Sequence, residues 1–118
     1  MVLGCGVVAV DAGGVAVDLA ALLVRDPRCT LLLRVCGVSM QGAGIDDGDL
    51  LVVDCALTPR PGDVVVARLE AGFTLKRLVR RPGGLALAAA HPAYPLLPLP
   101  SGGDDHVLGV ALHVIRHC

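Results

Sequence analysis

Two stretches of the sequence repeat one pattern, and this repeat limits the fold more than any other feature. Gly48-Asp49 precedes the apolar residues 50–53, and Gly62-Asp63 precedes the apolar residues 64–67. A Gly-Asp pair is typical of a turn, and a short apolar run rich in β-branched residues is typical of a buried strand. The repeat therefore predicts a mainly β protein.

Further strands and one short helix are predicted around this repeat. Ala71-Gly72 separates the second run from residues 73–79, which indicates a hairpin. Residues 29–37 and 107–115 have the composition of two more strands. Asp18 is placed to cap a short apolar helix that ends near Pro27. We therefore expect antiparallel strands with one or two short helices.

Length and composition narrow the protein class. A chain of 118 residues suits one domain and buries roughly two-thirds of its unfolded surface. The sequence is 54% hydrophobic but has one Phe, one Tyr and no Trp, so Val, Leu, Ile and Ala must form the core. A net charge of −1 argues against direct DNA binding, which usually needs a basic surface.

The cysteines and histidines show no metal-site or disulfide pattern. The five cysteines are odd in number and none forms a C-x-x-C pair, so we expect reduced thiols, as in the cytosol. Cys36 and Cys55 fall within strand patterns and are predicted to be small core residues. His113 and His117 would lie about 13 Å apart on a strand, so no metal ion or other cofactor is predicted.

A serine and a lysine are the candidate catalytic residues. Ser39 follows the apolar residues 31–33 and lies beside Gly37 and a glycine-rich loop. A serine hydroxyl needs a nearby base to act as a nucleophile. Lys76 lies 37 positions further on (76 − 39) among apolar neighbours, which lower the pKa of a lysine by desolvation. From residue type alone, both side chains are more commonly found on the solvent-exposed surface.

Four motifs, in this order, resemble the LexA/UmuD family of self-cleaving serine–lysine peptidases. They are Gly37-Val38-Ser39-Met40 and residues 44–54, 62–67 and 73–78. Within the family the likeness is to the UmuD branch, the accessory subunits of DNA polymerase V, and it runs from about Asp18 to the last residue. The resemblance implies twisted, partly closed antiparallel sheets, with a peptidase domain at 18–118 and a flexible arm at 1–17.

The resemblance also implies the roles of individual residues. Ser39 is the nucleophile, Lys76 is the general base, and the backbone N–H groups of Val38 and Ser39 stabilise the oxyanion. The expected substrate is the protein's own arm, cut between Cys5 and Gly6, 34 positions before the nucleophile (39 − 5). Ala12-Gly13 is a weaker competitor because its tether to the domain is short.

Partners and cellular setting follow from the same resemblance. The processed form is expected to be a homodimer that joins a Y-family, UmuC-like DNA polymerase in the SOS response. RecA filaments on single-stranded DNA are expected to promote cleavage. No apolar run reaches the ~20 residues of a membrane span, so a cytoplasmic protein without membrane attachment is expected. His91 stands where the family commonly has Asn, so the loop at 91–95 is given no catalytic role.

Three other functions stay open. A LexA-like repressor needs a DNA-reading domain, and the 17 residues before Asp18 are too few for one, which places this function behind the first. A signal-peptidase-like enzyme would use the Ser39–Lys76 dyad to cleave other proteins. A non-enzymatic dimer module would contain the two residues but not use them. Since only five residues precede Gly6, we expect the chain to behave already like the processed form.

Overall fold

The computed structural model describes residues 14, 16–99 and 106–118, and this part of the chain is mainly antiparallel β. The predicted fold class is thereby confirmed. Helix α1 spans Leu19–Leu23, two 3-10 turns span Pro27–Cys29 and Gln41–Ala43, and the strands are β1 (Thr30–Arg34), β2 (Leu50–Asp54), β3 (Val64–Leu69), β4 (Gly72–Arg81), β5 (Gly84–Ala88), β6 (Leu97–Pro98) and β7 (Val107–Ile115).

The strands form one seven-stranded sheet in the order β1-β2-β7-β3-β4-β5-β6, with every neighbouring pair antiparallel. Strand β7 lies between the two strands of the sequence repeat. Gly109 of β7 allows this close approach, because an added Cβ would lie 2.8 Å from Val53 Cγ1 and 2.9 Å from the backbone oxygen of Asp54. The C-terminal strand thus joins the two halves of the sheet.

The predicted hairpin is strands β3 and β4. Leu69 pairs with Gly72, so two residues make the turn, and further along the hairpin Val65 pairs with Lys76. Strand β4 also pairs with β5, where Arg77 lies opposite Ala88. Lys76 therefore lies near the middle of a strand that has a neighbour on each side.

The core consists of two clusters of Val, Leu, Ile and Ala side chains, as the composition predicts, together with the buried Met40, which that prediction did not include. The first comprises Met40, Ile45, Leu51, Val53 and Val66; the second comprises Val65, Ala67, Leu78, Leu87 and Val110. The prediction that Cys36 and Cys55 are core residues is wrong, since both are exposed. Strand β1 ends at Arg34 and β2 ends at Asp54, so both cysteines lie just beyond a strand, outside the buried alternation.

Helix α1 begins where the sequence predicts. Asp18 Oδ1 accepts a hydrogen bond from the backbone N–H of Ala20 at 3.0 Å, which caps the first turn. No residue of the helix is buried, and Leu19 and Leu22 are well exposed. Among the described residues, no helix has the length and apolar character needed to cross a membrane.

Candidate active site

Ser39 lies on a turn whose backbone is fixed to the following loop. After β1, the Val35 N–H donates to the Asp49 carbonyl at 2.8 Å, and the Gly48 N–H donates to the Val35 carbonyl at 2.8 Å. The Gly37 N–H donates to Asp47 Oδ1 at 2.7 Å. Gly37 has φ +103°, a conformation that L side chains rarely adopt, so glycine suits the bend before the serine.

The loop after Ser39 is anchored to the C-terminus by a buried carboxylate. Arg116 Nε donates to Asp49 Oδ1 at 2.7 Å, and the same guanidinium donates to the Gly44 carbonyl at 2.9 Å. The Arg116 hydrogen bond, followed by one from the Asp46 backbone N–H, lowers the pKa of Asp49 to about 2. Asp49 is therefore ionised at neutral pH and holds the loop against the end of β7.

The structure brings Ser39 and Lys76 together. Lys76 Nζ lies 3.2 Å from Ser39 Oγ, 2.5 Å from Thr74 Oγ1 and 3.1 Å from the Leu75 carbonyl oxygen. Lys76 is only 6% exposed. None of the ion pairs among the described residues involves it. Burial without a carboxylate partner disfavours the ammonium, so the pKa of Lys76 is lowered from its usual value.

These contacts define the orientation of a neutral amine. A neutral lysine has two N–H donors and one lone pair. The Leu75 carbonyl can only accept, and with Thr74 Oγ1 also accepting, these two oxygens take both donors. The remaining lone pair is then directed at Ser39, where it can accept the hydroxyl proton. This is the geometry that a general base requires.

An open cleft lies beside Ser39. Its volume is about 300 Å³. Its lining includes Ser39 together with the apolar side chains of Leu33, Val35, Leu51, Val66 and Phe73. Among the described residues, no acceptor receives a hydrogen bond from the backbone N–H of Val38 or Ser39. Their role as oxyanion donors stays a prediction.

Other sequence-based expectations have different outcomes. The candidate cleavage site, Cys5 and Gly6, lies outside the described residues. The loop that was given no catalytic role lies against the dyad, with Lys76 Nζ over the Tyr94 ring at 5.9 Å from its centroid. In the described part of the chain, no three His, Cys, Asp or Glu side chains gather where they could hold a metal ion.

Sequence reasoning missed Thr74 and Tyr94 as parts of the site. Strand alternation places Thr74 on the face of Lys76, and that i, i+2 relation was the available signal for its contact. Tyr94 carried no such signal because its position depends on how the chain returns after β5.

Comparison with known proteins decides the family. Residues 1–112 match the model of a family described as Peptidase S24-like. The chain belongs to this family. The four sequence motifs and the mainly β fold agree with that membership.

Curated relatives give a narrower comparison. Over 86 residues, the chain is 48% identical to the LexA repressor of Burkholderia cenocepacia (strain HI2424) and 46% identical to that of Burkholderia ambifaria (strain MC40-6). It is 45% identical to the LexA repressor of Burkholderia vietnamiensis (strain G4). Each match covers 72% of this chain and 40% of the relative, so the chain spans less than half the length of these repressors.

Proposed function

We propose that this domain is a serine peptidase that cleaves its own polypeptide through Ser39 and Lys76. The observation that carries the proposal is the 3.2 Å separation between Lys76 Nζ and Ser39 Oγ, with the amine buried beside an open apolar cleft. Membership of the Peptidase S24-like family supports the same activity.

The proposed reaction follows from the positions of these groups. Ser39 Oγ attacks the carbonyl carbon of Cys5 while its proton passes to Lys76 Nζ. The Val38 and Ser39 N–H groups receive the oxyanion, and Lys76 then gives the proton to the departing amine of Gly6. Water hydrolyses the resulting ester and frees Ser39. The 12 residues from 6 to 17 span up to ~40 Å when extended, enough to present the bond to its own or a neighbouring subunit.

Self-cleavage is tested with the full chain and four variants. The purified protein is incubated between pH 7 and 10, with and without RecA filaments on single-stranded DNA, and its intact mass is followed. We expect loss of residues 1–5, abolished in Ser39→Ala and Lys76→Ala. Lys76→Arg should also be inactive because a guanidinium stays charged and cannot act as a base. Ser101→Ala changes the other serine in the sequence and is the matched control.

Three results would contradict the proposal. The first is wild-type cleavage in Lys76→Ala, and the second is wild-type cleavage in Lys76→Arg. The third is an unchanged mass in the parent under every condition. A first-order rate that does not depend on protein concentration would indicate cleavage within one subunit, whereas a rate that rises with concentration would indicate cleavage between subunits.

A finer role is proposed from the four motifs. The processed domain acts as a homodimer that joins a Y-family DNA polymerase in translesion synthesis, and RecA filaments promote its cleavage. Exposed apolar side chains on β1 and β7, including Leu32, Val114 and Ile115, support a self-association surface. A pull-down with the cognate polymerase would compare residues 1–118 with residues 6–118. We expect similar binding, and no binding by either form would contradict this role.

The names of the curated relatives favour a second candidate role. They are LexA repressors, so the domain would be the cleavage module of a DNA-damage regulator. Specific binding of the natural protein to its own promoter DNA, lost after self-cleavage, would favour this role. Polymerase binding without promoter binding would favour the first.

A further inference from the structure

The segment that begins at Ala90 is tied to the turn that carries the nucleophile. The Ala90 N–H donates to the Ser39 carbonyl at 2.8 Å, and the Gly42 N–H donates to the Ala90 carbonyl at 2.7 Å. A Cβ on Gly42 would lie 2.6 Å from the Ala90 carbonyl oxygen, so glycine permits this approach. The residues that follow Ala90 therefore start from a fixed point beside the dyad.

His91 shapes the turn that follows. Its Nδ1 accepts a hydrogen bond from the Ala93 N–H at 3.0 Å, and its carbonyl accepts one from the Tyr94 N–H at 3.2 Å. A side-chain acceptor that binds the backbone N–H two residues later is the contact that Asn and Asp make in an Asx turn. The His91 ring also meets the Tyr94 ring edge-on, with 5.2 Å between centroids and 86° between planes. His91 thus fixes both the backbone and the ring of Tyr94.

Tyr94 in turn stands over the amine of the dyad. Its ring centroid lies 5.9 Å from Lys76 Nζ. Tyr94 is 43% exposed whereas Lys76 is 6% exposed, so the ring occupies the solvent side of the contact. The polar groups that face Lys76 are Ser39 Oγ, Thr74 Oγ1 and the Leu75 carbonyl. None of these carries a charge at neutral pH.

We propose that His91 is a positioning residue that holds Tyr94 as a cover over Lys76 and keeps water away from the base. This inference rests on the proposed self-cleavage, because it assigns a supporting role at the same site. The contacts of the His91 ring are with the Ala93 N–H and the Tyr94 ring, so it acts through the turn and through Tyr94.

Two effects of the tyrosine ring on the amine oppose each other. Excluding water favours the neutral amine, whereas the ring face attracts the ammonium. Burial is the cause that lowers the pKa of Lys76, and at 5.9 Å the amine lies close to the outer limit of about 6 Å for the attraction, so we expect water exclusion to be the larger effect. Loss of the cover should therefore raise the pKa of Lys76 toward the value of a free lysine.

The sequence makes this pKa directly measurable. Lys76 is the single lysine of the chain, so protein labelled with ¹³C,¹⁵N-lysine gives one side-chain signal in an NMR titration. Ser39→Ala serves as the background because it prevents cleavage. In that background, His91→Ala and Tyr94→Ala should each move the Lys76 titration to higher pH by more than the fitting error. His91→Asn keeps an acceptor for the Ala93 N–H and should titrate close to the background, as should Tyr94→Phe. His117→Ala is the control histidine.

In protein that retains Ser39, loss of the Tyr94 cover should also change how the self-cleavage rate depends on pH. The midpoint for His91→Ala should move to higher pH while the plateau at high pH stays within about 3-fold of the parent, and His91→Asn should restore the midpoint. A merely structural role would lower the plateau and leave the midpoint unchanged.

The outcomes separate this inference from the proposed function. An unchanged Lys76 titration in both His91→Ala and Tyr94→Ala would overturn it, as would a failure of His91→Asn to restore the titration. If the titration shifts as expected but the parent never cleaves, the positioning role stands and the proposed function fails. Thermal melting verifies folding, and Tyr94→Ala decides the question if His91→Ala does not fold.

Discussion

Replacing Thr74 by valine tests whether the hydrogen bonds around Lys76 orient the lone pair of its amine toward Ser39. Valine has nearly the shape of threonine but no hydroxyl, so Lys76 Nζ loses the acceptor that lies 2.5 Å away. The Leu75 carbonyl at 3.1 Å still holds one N–H. The other N–H then has no partner, and the amine can rotate its lone pair away from Ser39.

The size of the effect follows from that lost contact. A buried donor without a partner costs ~1–3 kcal/mol. In Thr74→Val, the neutral amine has this unpaired N–H whenever its lone pair is aligned with Ser39 for proton transfer. The cost of the unpaired N–H therefore adds to the activation barrier. At about 1.4 kcal/mol for each factor of ten, the cleavage rate should fall between about 5-fold and about 150-fold. Because a hydroxyl acceptor favours the ammonium over the amine, its loss should also move the midpoint of the pH profile down.

The assay is the first-order rate of self-cleavage from pH 6 to 11, followed by intact mass. Thr74→Ser keeps the hydroxyl and should remain within a few-fold of the parent. Thr58→Val makes the same change at an exposed position and should have no effect. Equal rates for Thr74→Val and the parent at high pH would refute the reasoning. So would an equal loss in Thr74→Ser, since that would indicate a packing defect.

Three further predictions use other parts of the structure. Because burial lowers the pKa of Lys76 below 10.5, the cleavage rate should rise with pH up to that lowered pKa and then level off; a rate flat from pH 6 to 10 would contradict a lysine base. Gly109→Ala should lower the free energy of unfolding by ~1–3 kcal/mol in a denaturant titration, because its Cβ would lie 2.8 Å from a valine methyl, whereas Gly83→Ala, which has open space, should change it by less than ~0.5 kcal/mol. The Asp49 carboxylate, paired with Arg116, has a pKa of about 2 when folded and 3.8 otherwise, so its stabilisation is complete above pH 3.8 and is lost as the pH falls toward 2. The melting temperature of the parent should fall more steeply through that window than that of Asp49→Asn, and parallel curves would contradict the assignment.

The pairing of Ser39 with Lys76 is predicted by the family resemblance, since residue type alone favours a solvent-exposed position for each side chain. Ser39 follows an apolar strand and precedes glycines, and Lys76 lies in a strand of the predicted hairpin. Strand alternation also places Thr74 on the face of Lys76. In the structure Lys76 Nζ lies 3.2 Å from Ser39 Oγ, as the resemblance implies, and it also contacts Thr74 Oγ1, which the sequence reasoning had not included in the site.

Contacts between distant segments were beyond the same reasoning. Asp49 and Arg116 are 67 positions apart, and their pairing depends on β7 lying next to β2. Tyr94 lies near Lys76 in a segment that starts at Ala90, which is hydrogen-bonded to the Ser39 turn. The wrong prediction for Cys36 has a different cause. The apolar pattern was extended beyond Arg34, but β1 ends there and the chain turns toward Ser39.

The position of Lys76 links the stability of the sheet to its proposed chemistry. An ammonium in mid-strand, with no carboxylate partner among the described residues, loses hydration that its three uncharged acceptors replace only in part, and this burial lowers its pKa. Between that lowered pKa and 10.5, the unfolded chain binds more protons than the folded one, so stability rises with pH across this interval. The burial that destabilises the ammonium form in the folded protein is therefore also what keeps Lys76 neutral, and able to act as a base, at a lower pH. A change that admits water to Lys76 would therefore relieve the burial cost and raise the pKa of the base together, and the proposed Tyr94 cover would act through this link.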